Sequence, residues 1–180
     1  LRLHKLNDVP IYGLAVDDSH NYHGKPGGAW PGRGWVQVAA ESLEAEALIS
    51  AMYRGEFYAS TGVELARIEF NESNAELALQ IVPEPGVTYQ TQFIGTRRGF
   101  DESTQLRTDD AGKPIRSTRI YSSDIGEVLA TSDALNPAYT LEGDELYVRA
   151  VVTASKDHPN PSFAGQKQQA WTQPIGWQTD

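Results

Sequence analysis

The sequence predicts an α+β, mainly β protein: an antiparallel β-sandwich over residues 63–180, preceded by a small α/β segment over residues 1–62. Three observations carry this expectation. After Val63, short segments of alternating apolar and polar residues recur, the period of half-buried strands. Clusters of Asn, Asp, Gly and Pro separate those segments where hairpins would reverse. The one convincing helical periodicity lies between Ser42 and Gly55, ahead of the alternation.

Taken in order, Leu1–Pro10 reads as a lead-in, with His4 as a surface histidine. Ile11–His20 (IYGLAVDDSH) is an apolar run that ends abruptly in polar residues. Lacking alternation over Tyr12–Val16, it predicts a strand buried on both faces, with chemistry at its C-terminal end. The Gly- and Pro-dense stretch Asn21–Gly34 predicts a long loop of the kind that often binds ligands. Trp35–Ala40 follows as a strand. Ser42 is then a favoured N-cap for a helix whose apolar positions are Ala45, Leu48, Ile49 and Met52. Glu44 and Glu46 suit its first turn, and Gly55 ends it. Phe57–Ser60 reads as a further strand.

Beyond Val63, strands are expected around Ala66–Phe70, Leu77–Ile81, Val87–Phe93 and Leu146–Val152, with turns at Asn71–Asn74, Pro83–Gly86 and Glu142–Asp144. Weaker strands fit Thr118–Ser122, Glu127–Thr131, Ala138–Leu141 and Ala170–Ile175. Asp109 and Asp110 lack the rest of an EF-hand loop and read as a hairpin tip. Ser155–Gln168 reads as an exposed loop in which His158 is solvated.

The formal net charge of -9 argues against a nucleic-acid backbone or an anionic membrane surface as partner, since the long-range field repels both. Small molecules and cations remain open. With no cysteine, a metal here must use His, carboxylate or water ligands. No segment has the roughly 20 apolar residues of a membrane span. A start at Leu1 rather than Met suggests a processed product or an excised fragment of a soluble protein, with any targeting segment outside the chain and the compartment open.

Asp18 and His20 are the candidate metal ligands. In an extended chain residues two apart share a side, so these two can converge while Asp17 and Ser19 face away. Arg33, with His23 and Trp30 on the same loop, is the candidate substrate contact, because a planar guanidinium grips phosphate or carboxylate. Ser60 lies in ASTG, not in a nucleophile elbow, and no histidine base can be assigned to it. Trp30, Trp35, Trp171 and Trp177 could supply a carbohydrate platform, although core packing is the commoner role.

AVDDSHNY, then GRGWVQVAAESLEAEALISAMYRGEFYASTG, then AWTQPIGW near the end together resemble the C-terminal part of PHP-type metallohydrolases, in particular the CehA/McbA-like branch. The resemblance is strongest over Ile11–Gly62 and returns at Ala170–Trp177. It implies that residues 1–62 are the remnant of a PHP-type β/α barrel, and that Asp18 and His20 are its last Asp-x-His metal motif. The implied cofactor is zinc, manganese or iron, and the implied reaction is hydrolysis of a small-molecule ester, in the first instance a phosphoester. The earlier histidine and acidic motifs of that family have no counterpart in this chain. The resemblance therefore implies a site completed by the preceding barrel portion of the same protein, with this chain inactive alone and open to self-association through exposed barrel surface. The rival expectation is a non-catalytic β-sandwich accessory or carbohydrate-binding module.

Overall fold

The computed structural model describes residues 11–23 and 29–176, the side chains of residues 116 and 117 excepted. Its elements in order are β1 (Trp35–Val38), α1 (Ala45–Tyr53), β2 (Phe57–Ser60), β3 (Leu65–Asn71), β4 (Glu76–Ile81), β5 (Tyr89–Arg97), β6 (Thr104–Thr108), β7 (Pro114–Tyr121), β8 (Glu127–Ser132), β9 (Ala138–Thr140), β10 (Glu145–Asp157) and β11 (Lys167–Trp171). Six strands form one sheet in the order β1-β2-β11-β10-β5-β8, and three form a second, β3-β4-β9. β6 and β7 make a separate hairpin. Every strand pairing among the described residues is antiparallel. This is the mainly β, sandwich-like α+β fold that the alternation predicts, and it does not close into a barrel.

The core lies between the two larger sheets. Phe93, Val148, Ala150 and Val152 from the long central strands meet Leu77, Leu79, Ile81 and Tyr139 from the smaller sheet. Phe93 and Tyr139 stack across the interface with ring centroids 5.6 Å apart. One core-facing row runs Thr91, Val152, Ala170, Ser60, Trp35 through five neighbouring strands. Within it the Thr91 hydroxyl is buried and has no hydrogen-bond partner among the described residues. Desolvating an unpaired hydroxyl is costly, so Thr91→Val, which keeps the branched shape, is expected to stabilise the fold by about 1 kcal/mol. An unfolding midpoint below that of the parent would refute this.

α1 stops as Gly55 requires. Gly55 has φ +75°, Glu56 N–H donates to the Ala51 carbonyl and Gly55 N–H to that of Met52, the paired bonds of a glycine-terminated helix. The start differs from expectation. Ser42 is not the cap: the helix begins at Ala45, with Glu44 in the cap position and no side-chain capping bond.

Two strand readings also need correction. β6 escapes sequence alternation because its residues are nearly all exposed in a hairpin that joins neither main sheet. In β3, a bulge between Leu65 and Arg67 puts Leu65 rather than Ala66 with Ile68 and Phe70 on the core side. As an edge strand, β3 leaves Ile68 37% exposed.

Residues 11–22 form no strand. The expectation of a strand buried on both faces is thus not met in this chain: Leu14 is 56% and Val16 72% exposed. β1 and β2, on the N-terminal side of residue 62, belong to the same hydrogen-bonded sheet as β11 and β10. β2 is buried at all four positions: Tyr58 joins the sandwich core, and on the alternate face Phe57 meets Tyr12. No helix among the described residues is long and apolar enough to cross a membrane.

Candidate functional site

The polar end of the Ile11–His20 segment is positioned by anchors along its length. The Tyr12 ring meets Phe57 edge-on at 5.8 Å and covers Gly55, where a Cβ would come within 2.7 Å of the ring. The Gln173 side chain clamps Gly13 twice, accepting its N–H at 2.8 Å and donating to its carbonyl at 2.9 Å. Ala15 approaches Gly34 so closely that a Cβ there would lie 3.1 Å from the alanine methyl.

The strongest anchor is Asp17. Its carboxylate accepts the backbone N–H groups of Gly32, Arg33 and Gly34 at 2.9, 2.7 and 2.9 Å. Those amide bonds, led by the one from Gly34, hold the carboxyl below its ordinary range. Ser19 Oγ and the N–H groups of His20 and Asn21 all donate to the Ala29 carbonyl. The turn carrying the candidate ligands is thereby stapled to residues 29–34.

Exposed and half-buried positions alternate from Leu14 to His20, and the backbone turns at Asp18. Tyr12, Ala15, Asp17 and Ser19 are half-buried; Leu14, Val16, Asp18 and His20 are exposed. Asp18 sits at φ +48°, a conformation that Asp and Asn tolerate better than most residues. Its side chain is 87% exposed. His20 Nδ1 lies 2.7 Å from the Asp18 carbonyl oxygen and 3.8 Å from Asp18 Oδ1. A carbonyl can only accept, so Nδ1 is the donor, and in the neutral ring Nε2 keeps the lone pair. That is the tautomer of a metal-ligating histidine whose second nitrogen is tied to a carbonyl.

Arg33 is half-buried, and its Nε donates to Asn160 Oδ1 at 3.4 Å. His23 is exposed at a bend. His4, the rest of the lead-in and Trp177 lie outside the described residues. His158 is not solvated, contrary to the sequence reading. It is 4% exposed, its Nε2 donates to the Arg33 carbonyl at 2.9 Å, and its Nδ1 accepts the Asn160 N–H at 3.0 Å. The Ser60 hydroxyl is buried, donating to the Val63 carbonyl and accepting the Gly62 N–H.

Register separates two of the tryptophans. Trp35 shares a row with Ser60 and Ala170, whereas Trp171 shares one with Ala59 and Val36, on the opposite face of the sheet. They cannot form one flat platform.

A second acidic group comprises Glu142, Asp144 and Glu145, whose carboxylate oxygens lie within 4.8 Å of one another. Its cation is already present in the chain: Arg97 Nη1 pairs with Glu142 at 2.9 Å, with Asp144, and with Glu145 at 3.6 Å. We read this group as a salt-bridge hub.

Comparison with protein-family models, with curated proteins and with solved structures found no match to this chain.

Proposed function

We propose that this chain is the closing portion of a PHP-type metal-dependent hydrolase of the CehA/McbA-like branch, acting on small-molecule esters and in the first instance phosphoesters. The observation that carries this reading is the exposed side of the Ile11–His20 segment. There Leu14, Val16, Asp18 and His20 are all exposed, while Ala15, Asp17 and Ser19 between them are half-buried. The backbone groups of Leu14, Ala15 and Val16 meet no partner among the described residues. Exposed apolar side chains on a segment that joins no strand pairing among the described residues suit a strand made to be covered by neighbouring strands, and here its polar end carries the ligand pair. The covering partner in this reading is the preceding barrel portion of the same protein. Its remaining ligands complete the site.

Asp18 and His20 fit zinc, manganese or iron. The carboxylate supplies charge, and the exposed Nε2 of a correctly tautomerised imidazole supplies a borderline donor. When bound, a divalent ion supplies the Lewis acidity that activates water for ester hydrolysis. Asp17 contributes no ligand; it fixes the backbone of residues 32–34 and so the placement of its neighbour Asp18. Arg33 has the chemistry to orient a substrate phosphate.

The test uses the longer polypeptide that includes the preceding barrel. Stoichiometric transition metal is expected in it by elemental analysis. Asp18→Asn, which suits the same backbone conformation, is expected to lower both metal retention and phosphoester hydrolysis by about a hundredfold. The unfolding midpoint of this chain is expected to stay the same, since the Asp18 side chain is exposed. Unchanged metal content and rate in the variant would overturn the reading.

A further inference from the structure

We propose that His158 and Asn160, in the loop after β10, are positioning residues for the Asp18/His20 motif, acting through the backbone and side chain of Arg33. The proposal rests on the metal-site reading above for its function, and on geometry of its own for the coupling. The Arg33 peptide is gripped from two sides. Its N–H donates to Asp17 at 2.7 Å, next to the ligand pair, and its carbonyl accepts from His158 Nε2 at 2.9 Å, across 125 residues of sequence. Asn160 completes the grip. Its N–H donates to His158 Nδ1 at 3.0 Å and its Oδ1 accepts from Arg33 Nε at 3.4 Å.

This arrangement admits one state of the imidazole. The Arg33 carbonyl needs a donor and the Asn160 N–H needs an acceptor, so the ring is neutral with its proton on Nε2. The ring is also buried, and the N–H of His158 donates to the Gln166 carbonyl at 2.8 Å, which ties the loop across itself. A rigid clamp thus runs from the β-sandwich through His158 to the Arg33 peptide, and on through Asp17 to the ligand turn. Moving either end of it moves residues 32–34, and with them the frame that sets Asp18. The candidate substrate residue and the candidate ligands are thereby held in one register by the sandwich.

Two substitutions divide the histidine's two bonds. In His158→Gln the amide nitrogen falls close to the place of Nε2 and can still donate to the Arg33 carbonyl. In His158→Asn the shorter side chain can accept from Asn160 but cannot reach Arg33. Amide hydrogen exchange, followed by NMR on this chain, is expected to quicken about tenfold at Gly32, Arg33 and Gly34 in His158→Asn and to remain near the parent rate in His158→Gln. Phe93 and Val152 should keep their protection in both, which reports an intact core. Asn160→Ala, a change on a half-buried loop residue, should give a smaller acceleration at the same three amides. The second readout is broadening of the Asp18 and His20 amide signals by Mn²⁺, which detects weak binding. Its apparent Kd is expected to rise about tenfold in His158→Asn and to recover in His158→Gln.

Equal exchange at residues 32–34 in the parent and His158→Asn would overturn the proposal, as would indistinguishable Asn and Gln variants. Absence of Mn²⁺ broadening at Asp18 and His20 in the parent would instead count against the metal-site reading. The exchange rates would then decide the positioning role by themselves.

Discussion

Glu145→Ala is expected to destabilise the fold by about 3 kcal/mol, the largest loss that a single polar substitution in this chain should cause. The Glu145 side chain is fully shielded from solvent and serves four groups. It accepts the Tyr139 hydroxyl at 2.5 Å and the N–H groups of Glu142 and Gly143 at 3.1 and 3.0 Å, and it lies 3.6 Å from Arg97 Nη1. Alanine leaves the Tyr139 hydroxyl without its acceptor at the edge of the core. Tyr139→Phe, which removes one donor and leaves the carboxylate its other contacts, should cost less, about 1 kcal/mol. Urea unfolding of the two variants checks the order, and a Glu145→Ala midpoint equal to that of the parent would exclude the hub as a stabilising feature.

The same group makes a prediction about acid. Burial pushes the Glu145 carboxyl up, but the hydrogen bonds from Tyr139 and the nearby amides outweigh it and hold the group below its ordinary range. A folded-state pKa below the unfolded value means that the carboxylate form favours folding. Its contribution is present above the unfolded value of about 4.3 and is lost as pH falls through the lower folded value. Stability should therefore decline below about pH 4 in the parent and decline less in Glu145→Ala. Parallel pH profiles for the two proteins would contradict this.

Asp17→Ala is the second large effect, and it separates two adjacent carboxylates of opposite use. Removing the acceptor of three backbone amides is expected to cost about 1–2 kcal/mol, discounted because the carboxylate is partly solvated. It should also release residues 32–34 to faster hydrogen exchange. Asp18→Asn, by contrast, should leave both stability and exchange near parental values, because the Asp18 side chain is exposed. Asp17 titrates below its ordinary range, so its contribution is likewise present above about pH 4 and lost as pH falls through the folded value. If Asp17→Ala and Asp18→Asn proved equally mild, the division of labour drawn here would fail.

Much of the fold was legible because its signals are local. Period-two alternation located β4, β5 and β10, and Gly55 stopped α1 where a left-handed residue was needed. β6 was missed because a strand exposed on both faces has no alternation to read. The opening segment was misplaced for a related reason. An unbroken apolar run signals that burial is needed, and here Leu14 and Val16 of that run stay exposed.

The site divides in the same way. The Asp-x-His pair is read directly from the sequence, but the left-handed turn at Asp18, with His20 Nδ1 against the Asp18 carbonyl, is not what an extended chain predicts. Which of the two aspartates is held by backbone amides could not be read there, nor that His158 is buried against Arg33 or that Gln173 clamps Gly13 from 160 residues away. Those outcomes belong to the tertiary structure. A hydrogen bond depends on which distant group the folded sheets bring within 3 Å, and no local pattern of residue types encodes that distance.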